Sequence, residues 1–120
     1  MSNEIKLTFD LEEVDWTEAA SIFERAPLGT REPDALEQTY RNSDLTCFAW
    51  DGDTLIGIAR ALSDGITHSV IYDLCMLPEY QGQGLGTRMM EAMTKKLTTP
   101  NVVLWSVPGK EKFYAKLGFK

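Results

Sequence analysis

Cysteine is scarce in this chain, histidine scarcer still, and long apolar runs are missing altogether. The two cysteines, Cys47 and Cys75, each sit inside a strand-like apolar stretch, not in a disulfide or metal-ligand spacing. That excludes a stapled scaffold and leaves reduced, buried thiols, as expected of a cytoplasmic protein with no metal. No leading apolar segment and no run of about 18 apolar residues occurs, so neither secretion nor membrane insertion is indicated. A basic surface is also missing. Residues 1–44 hold eleven acids and four bases, net −7, and residues 45–120 are near balance at +1. Nucleic acid is therefore not an expected partner, whereas a cationic substrate would be steered toward the acidic third. Low-complexity stretches, repeats and linkers are absent too. The 120 residues read as one domain, 1–120, large enough for an ordinary core.

What is present is a glycine-rich turn, Gln81-Gly82-Gln83-Gly84-Leu85-Gly86-Thr87, between an apolar strand and a helix-patterned run. Glycines let backbone N–H groups approach a ligand closely. The following helix adds unpaired N–H groups and the positive end of its dipole. The combination suits a phosphate or pyrophosphate. It is not a P-loop, because Gly86-Thr87-Arg88 lacks the lysine that motif requires. It does not match the dinucleotide fingerprint either, whose glycines stand at the first, third and sixth places.

The rest of the chain can be placed coarsely. Glu4–Phe9 reads as a strand. Asp15 caps a helix with Ala19, Ile22, Phe23 and Ala26 on its apolar face. Pro33 suits the first turn of a second helix, ending near Asn42. Thr46–Trp50 and Thr54–Leu62 flank a hairpin signal, Asp51-Gly52-Asp53, and Thr67–Leu77 follows. Leu85, Met89, Ala92 or Met93, and Leu97 mark a third helix. Val102–Val107 is a buried-type strand, parallel to its predecessor through a right-handed crossover. A last helix is expected at about Lys110–Leu117, with Gly118 as its cap.

Read as Gln-x-x-Gly-x-Gly, residues 81–86 resemble the acetyl-CoA pyrophosphate turn of the GNAT superfamily of N-acyltransferases. Asp73-Leu74-Cys75-Met76-Leu77-Pro78-Glu79-Tyr80 resembles the strand and loop that lead into that turn. Lys112-Phe113-Tyr114-Ala115-Lys116-Leu117-Gly118-Phe119 resembles the second signature of the family. The resemblance implies an α+β fold. Its central sheet would be mixed and mostly antiparallel, with a β-α-β crossover and helices on both faces. It also implies acetyl-CoA as co-substrate and a primary amine, small and cationic, as acceptor, attacked directly in a ternary complex.

Within that frame Gly82, Gly84, Gly86 and Thr87 should bind the pyrophosphate, with Gln81, Gln83 and Leu85 in the same turn. The backbone of Leu74, Cys75 and Met76 should hold the pantetheine arm and polarise the acetyl carbonyl. Tyr114 matches the family tyrosine that protonates the departing thiolate. Asp73 is the better placed of two strand residues for the base, and alternation sets it opposite Tyr72. His68, Glu24, Glu32 and Asp34 are the other candidates, and Arg88 offers a charge near the turn.

Two departures stand out. Val107 occupies a place where many members carry a pantetheine-binding asparagine. The sequence given also stops soon after Gly118-Phe119, where the family usually adds a strand. An unpaired edge there invites a homodimer. A non-catalytic acyl-CoA-binding domain and a peptide N-acetyltransferase are the alternative readings.

Overall fold

The structure, a computed structural model, describes residues 4–104. Strand β1 is Ile5–Thr8, helix α1 Trp16–Arg25 and helix α2 Pro33–Arg41. Strands β2, Leu45–Asp51, β3, Thr54–Ser63, and β4, His68–Met76, form a meander. Helix α3, Leu85–Lys96, then crosses to strand β5, Asn101–Leu104. The last expected helix and residues 105–107 of the expected fifth strand lie outside the described residues.

Local chemistry explains the boundaries. Asp15 accepts from the Thr17 and Glu18 amides at 2.9 and 3.3 Å, which starts α1. Glu18 does not reach back to complete a capping box. Its carboxylate instead accepts from the Leu55 amide at 3.0 Å and fixes the start of β3. Glu32 caps α2 through the Asp34 and Ala35 amides, with Pro33 in the first turn. Gly52, at φ 60°, makes the two-residue turn that lets Asp51 face Thr54.

The sheet runs in the order β1-β2-β3-β4-β5. Its first four strands pair antiparallel, and β4 pairs parallel with β5 from His68↔Asn101 to Ile71↔Leu104. The parallel pairing is what the crossover handedness dictates.

Neighbouring residues of β2 show that helices cover both faces. Phe48 meets Trp16 of α1 and Tyr40 of α2, with ring centroids at 6.1 and 5.9 Å. Ala49 faces the other way, opposite Gly57 of β3, where Met89 of α3 descends. A Cβ on Gly57 would stand 3.2 Å from both the Met89 sulfur and the Ala49 methyl. A side chain there would make the Met89 thioether or the Ala49 methyl give way by a few tenths of an ångström.

Candidate active site

Helix α3 opens from a turn whose shape comes from its glycines. Gly82 and Gly84 adopt φ of 78° and 83°, the left-handed region that an L side chain adopts at a cost. A side chain at either would meet nothing within 4 Å, so conformation and not crowding demands glycine. Gly84 is the N-cap of α3, and no side chain bonds the first amides of that helix. Those amides and the helix dipole therefore face the space beside the turn. Leu85 and Gly86 are buried in the first helical turn, and Thr87 follows half-buried.

The approach to the turn is braced at several points. The Leu77 amide bonds the Ile56 carbonyl at 2.9 Å, and a short 3-10 turn follows at Pro78–Tyr80. The Tyr80 hydroxyl donates to Asp51 at the end of β2, and this bond raises the tyrosine pKa above its usual value. Glu79 pairs with Arg25 at the end of α1 at 2.6 Å, which holds its carboxyl below the ordinary range.

The glutamines fold back on this segment. Gln81 donates to the Met76 carbonyl at 3.3 Å and Gln83 to the Glu79 carbonyl at 2.8 Å. Arg88, expected near the turn, donates instead to the Ile5 carbonyl of β1 at 3.0 Å.

Strand β4 departs from simple alternation just before it reaches the turn. Its register with β3 runs Arg60↔Tyr72 and then Ile58↔Cys75, so Asp73 and Leu74 together face Ala59. Asp73 sits at φ 67°, the only non-glycine residue with positive φ among those described. The expectation that Tyr72 and Asp73 lie on opposite faces is thereby corrected, because both touch Arg60. The Arg60 guanidinium lies 4.7 Å from the Tyr72 ring centroid, and its Nε donates to Asp73 Oδ2 at 2.9 Å. Tyr40 donates to the same oxygen at 3.4 Å. Burial, with the Asp73 charge second, pushes the Tyr40 phenol well above its usual pKa, so it remains a donor.

The other sequence candidates fall in known places. Leu74 and Cys75 are buried and Met76 half-buried on the stretch of β4 that continues past Ile71 toward the turn. Glu32 is spent on the α2 cap. His68 is exposed at the far end of β4 and bonded to Thr67 at 3.0 Å. Glu24 and Asp34 are exposed. Tyr114 and Val107 lie outside the described residues. Arg60 and Tyr40 gave no sign in the sequence that they would meet Asp73, because the meeting depends on a bulge with no residue signature. Among the described residues no cluster of three or more His, Cys, Asp or Glu could hold a metal. None of the described helices is long and apolar enough to cross a membrane.

A glycine turn thus opens the crossover helix between the parallel strands β4 and β5, and β4 is bulged where it pairs antiparallel with β3. The family model for the acetyltransferase (GNAT) family matches residues 8–119, and the chain belongs to that family. A probable acetyltransferase from meticillin-resistant Staphylococcus aureus is 29% identical, with a TM-score of 0.85 over 98% of this chain and 90% of that one. GCN5-related N-acetyltransferase 2, chloroplastic, of Arabidopsis thaliana is 41% identical over 69 residues, which is 55% of this chain and 27% of that protein. Serotonin N-acetyltransferase 2, chloroplastic, of rice is 29% identical over 105 residues, 82% of this chain and 52% of that protein. The chain thus spans about half or less of these two curated relatives.

Proposed function

We propose that the chain transfers the acetyl group of acetyl-CoA to a primary amine of a small, cationic acceptor. One observation carries this reading: two left-handed glycines deliver an α3 N-terminus with no side-chain cap beside the end of β4. That arrangement offers fixed donors to a pyrophosphate.

A free alkyl ammonium is deprotonated about one part in a thousand at neutral pH, roughly 4 kcal/mol from reactivity. The site must therefore take a proton before or during attack. Asp73 is the carboxylate for this, directly or through water. Its Oδ2 is engaged by Arg60 and Tyr40, which leaves Oδ1 as the accepting atom. The neutral nitrogen attacks the thioester carbon, and backbone amides of Leu74–Met76 stabilise the charge that develops on the carbonyl oxygen. The C–S bond then breaks, the nitrogen gives up its second proton to water as the amide forms, and the thiolate takes a proton from the Tyr114 phenol, which solvent restores. The acidic first third, net −7 over residues 1–44, favours a cationic acceptor.

The test is a thermal-stability measurement with acetyl-CoA, ATP and NADH in parallel, followed by an amine screen. A shift with acetyl-CoA alone, and turnover that falls on Tyr114→Phe, supports the reading. Binding without turnover on any small amine or peptide would make the chain a non-catalytic acyl-CoA-binding domain. The absence of a shift in a cooperatively melting protein would overturn the ligand assignment.

A further inference from the structure

We infer that Arg60 and Tyr40 are positioning residues that clamp Asp73 in its left-handed conformation and so hold open the bulge that aims the Leu74–Met76 backbone. The inference rests on the acetyl-CoA reading for its consequence in catalysis, but not for its structural content.

The bulge is costly without support. An L residue at φ 67° is strained, although aspartate bears this better than most. A two-against-one register also removes regular ladder bonds at the point where β4 nears the glycine turn. Something must hold the conformation, and the clamp is built for it. The Arg60 guanidinium is fixed from three directions. It lies over the Tyr72 ring, bonds Asp73 through Nε, and reaches Ser43 Oγ at 3.5 Å just beyond α2. Tyr40, 1% exposed and wedged between Trp16 and Phe48, is immobile and brings its hydroxyl to the same carboxylate. Asp73 is therefore tied to β3 by one partner and to α2 by the other.

Both side chains in the ion pair are about four-fifths covered, at 17% and 20% exposure. Such a pair seldom adds net stability over an apolar replacement, whereas losing one partner is damaging. A purely architectural role would thus predict that removing both charges restores everything. A clamp predicts otherwise, because an uncharged pair no longer fixes the left-handed residue.

Amide exchange followed by NMR on the full chain, with kcat and the dissociation constant for CoA, tests this. Arg60→Met should speed exchange at Leu74–Met76 by tenfold or more and leave Ser69–Ile71 within twofold. It should lower kcat by at least tenfold, with CoA affinity changed less than threefold. Arg60→Lys, which keeps the charge, should show the same pattern at smaller amplitude and covers the case in which Arg60→Met does not fold. The double variant Arg60→Met with Asp73→Asn should regain melting temperature while exchange at Leu74–Met76 stays fast. Wild-type exchange in Arg60→Lys, or recovery of both stability and slow exchange in the double variant, would overturn the clamp. If the wild-type chain acetylates no amine, the function proposed above fails, and the exchange measurements still decide the clamp.

Discussion

Glycines among the described residues are constrained by backbone conformation more often than by space. Gly84 shows it best, since its surroundings would admit a side chain that its φ of 83° resists. Gly84→Ala should cost about 1–2 kcal/mol of stability from left-handed strain. Because it also distorts the α3 cap, it should weaken acetyl-CoA binding, which titration calorimetry would show. Cys47 is constrained by burial, which pushes its thiol from 9.0 up to about 12. The sign follows from the raised folded value. The stabilisation is complete below pH 9 and is lost as pH climbs toward 12, with a ceiling of roughly 4 kcal/mol. Urea unfolding at stepped alkaline pH should show this loss, and Cys47→Ala should flatten it. At pH 8 the same thiol should resist alkylation until denaturant is added.

At the scale of elements, the seat of α3 on the sheet sets where the glycine turn stands. Gly57→Val would force branched methyls onto contacts already at 3.2 Å. Overpacking of this kind costs about 1–3 kcal/mol, and here it should also lift the turn and weaken acetyl-CoA affinity. Equilibrium unfolding together with ligand titration would check both. The exposed pair between Arg25 and Glu79 is of another kind. Its contribution exists above the carboxylate range and fades as pH falls, and Arg25→Ala should leave the melting temperature nearly unchanged at neutral pH.

The elements themselves were largely legible. Period and punctuation located α1 through Asp15, α2 through Pro33, the β2–β3 turn at Gly52 and the glycine turn before α3. For the candidate site, the sequence pointed to the turn and the strand leading to it, where glycine spacing shapes the backbone. Asp73 stood out as a candidate base but its face did not, because alternation presumes a regular ladder and the register slips at Ala59. Arg60 and Tyr40 carry no local motif, as they meet Asp73 across 13 and 33 residues of chain. The Glu32 cap on the α2 amides was not read from the sequence, where only Pro33 marked that helix start.

On the scale of the whole molecule, the sheet separates two helical layers. The α1–α2 layer meets one face and carries Tyr40, while α3 covers the other and presents its N-terminus. The segment before the turn is tied to the sheet by Tyr80 to Asp51 and to α1 by Glu79 to Arg25. A ligand on the α3 N-terminus therefore acts on the entire cooperative unit. Acetyl-CoA at about a hundred times its dissociation constant should add about 2.7 kcal/mol to the folded state by mass action, and calorimetric melting would show it.

Helix α3 rests on Met89, Met90 and Met93, all essentially sealed from solvent. Thioethers are among the softest and most oxidisable apolar groups, and a sulfoxide is too polar for such a seat. Peroxide can reach these sulfurs only when the helix lifts from the sheet. The rate at which each gains an oxygen, read by mass spectrometry, is thus a clock for undocking of the element that carries the turn.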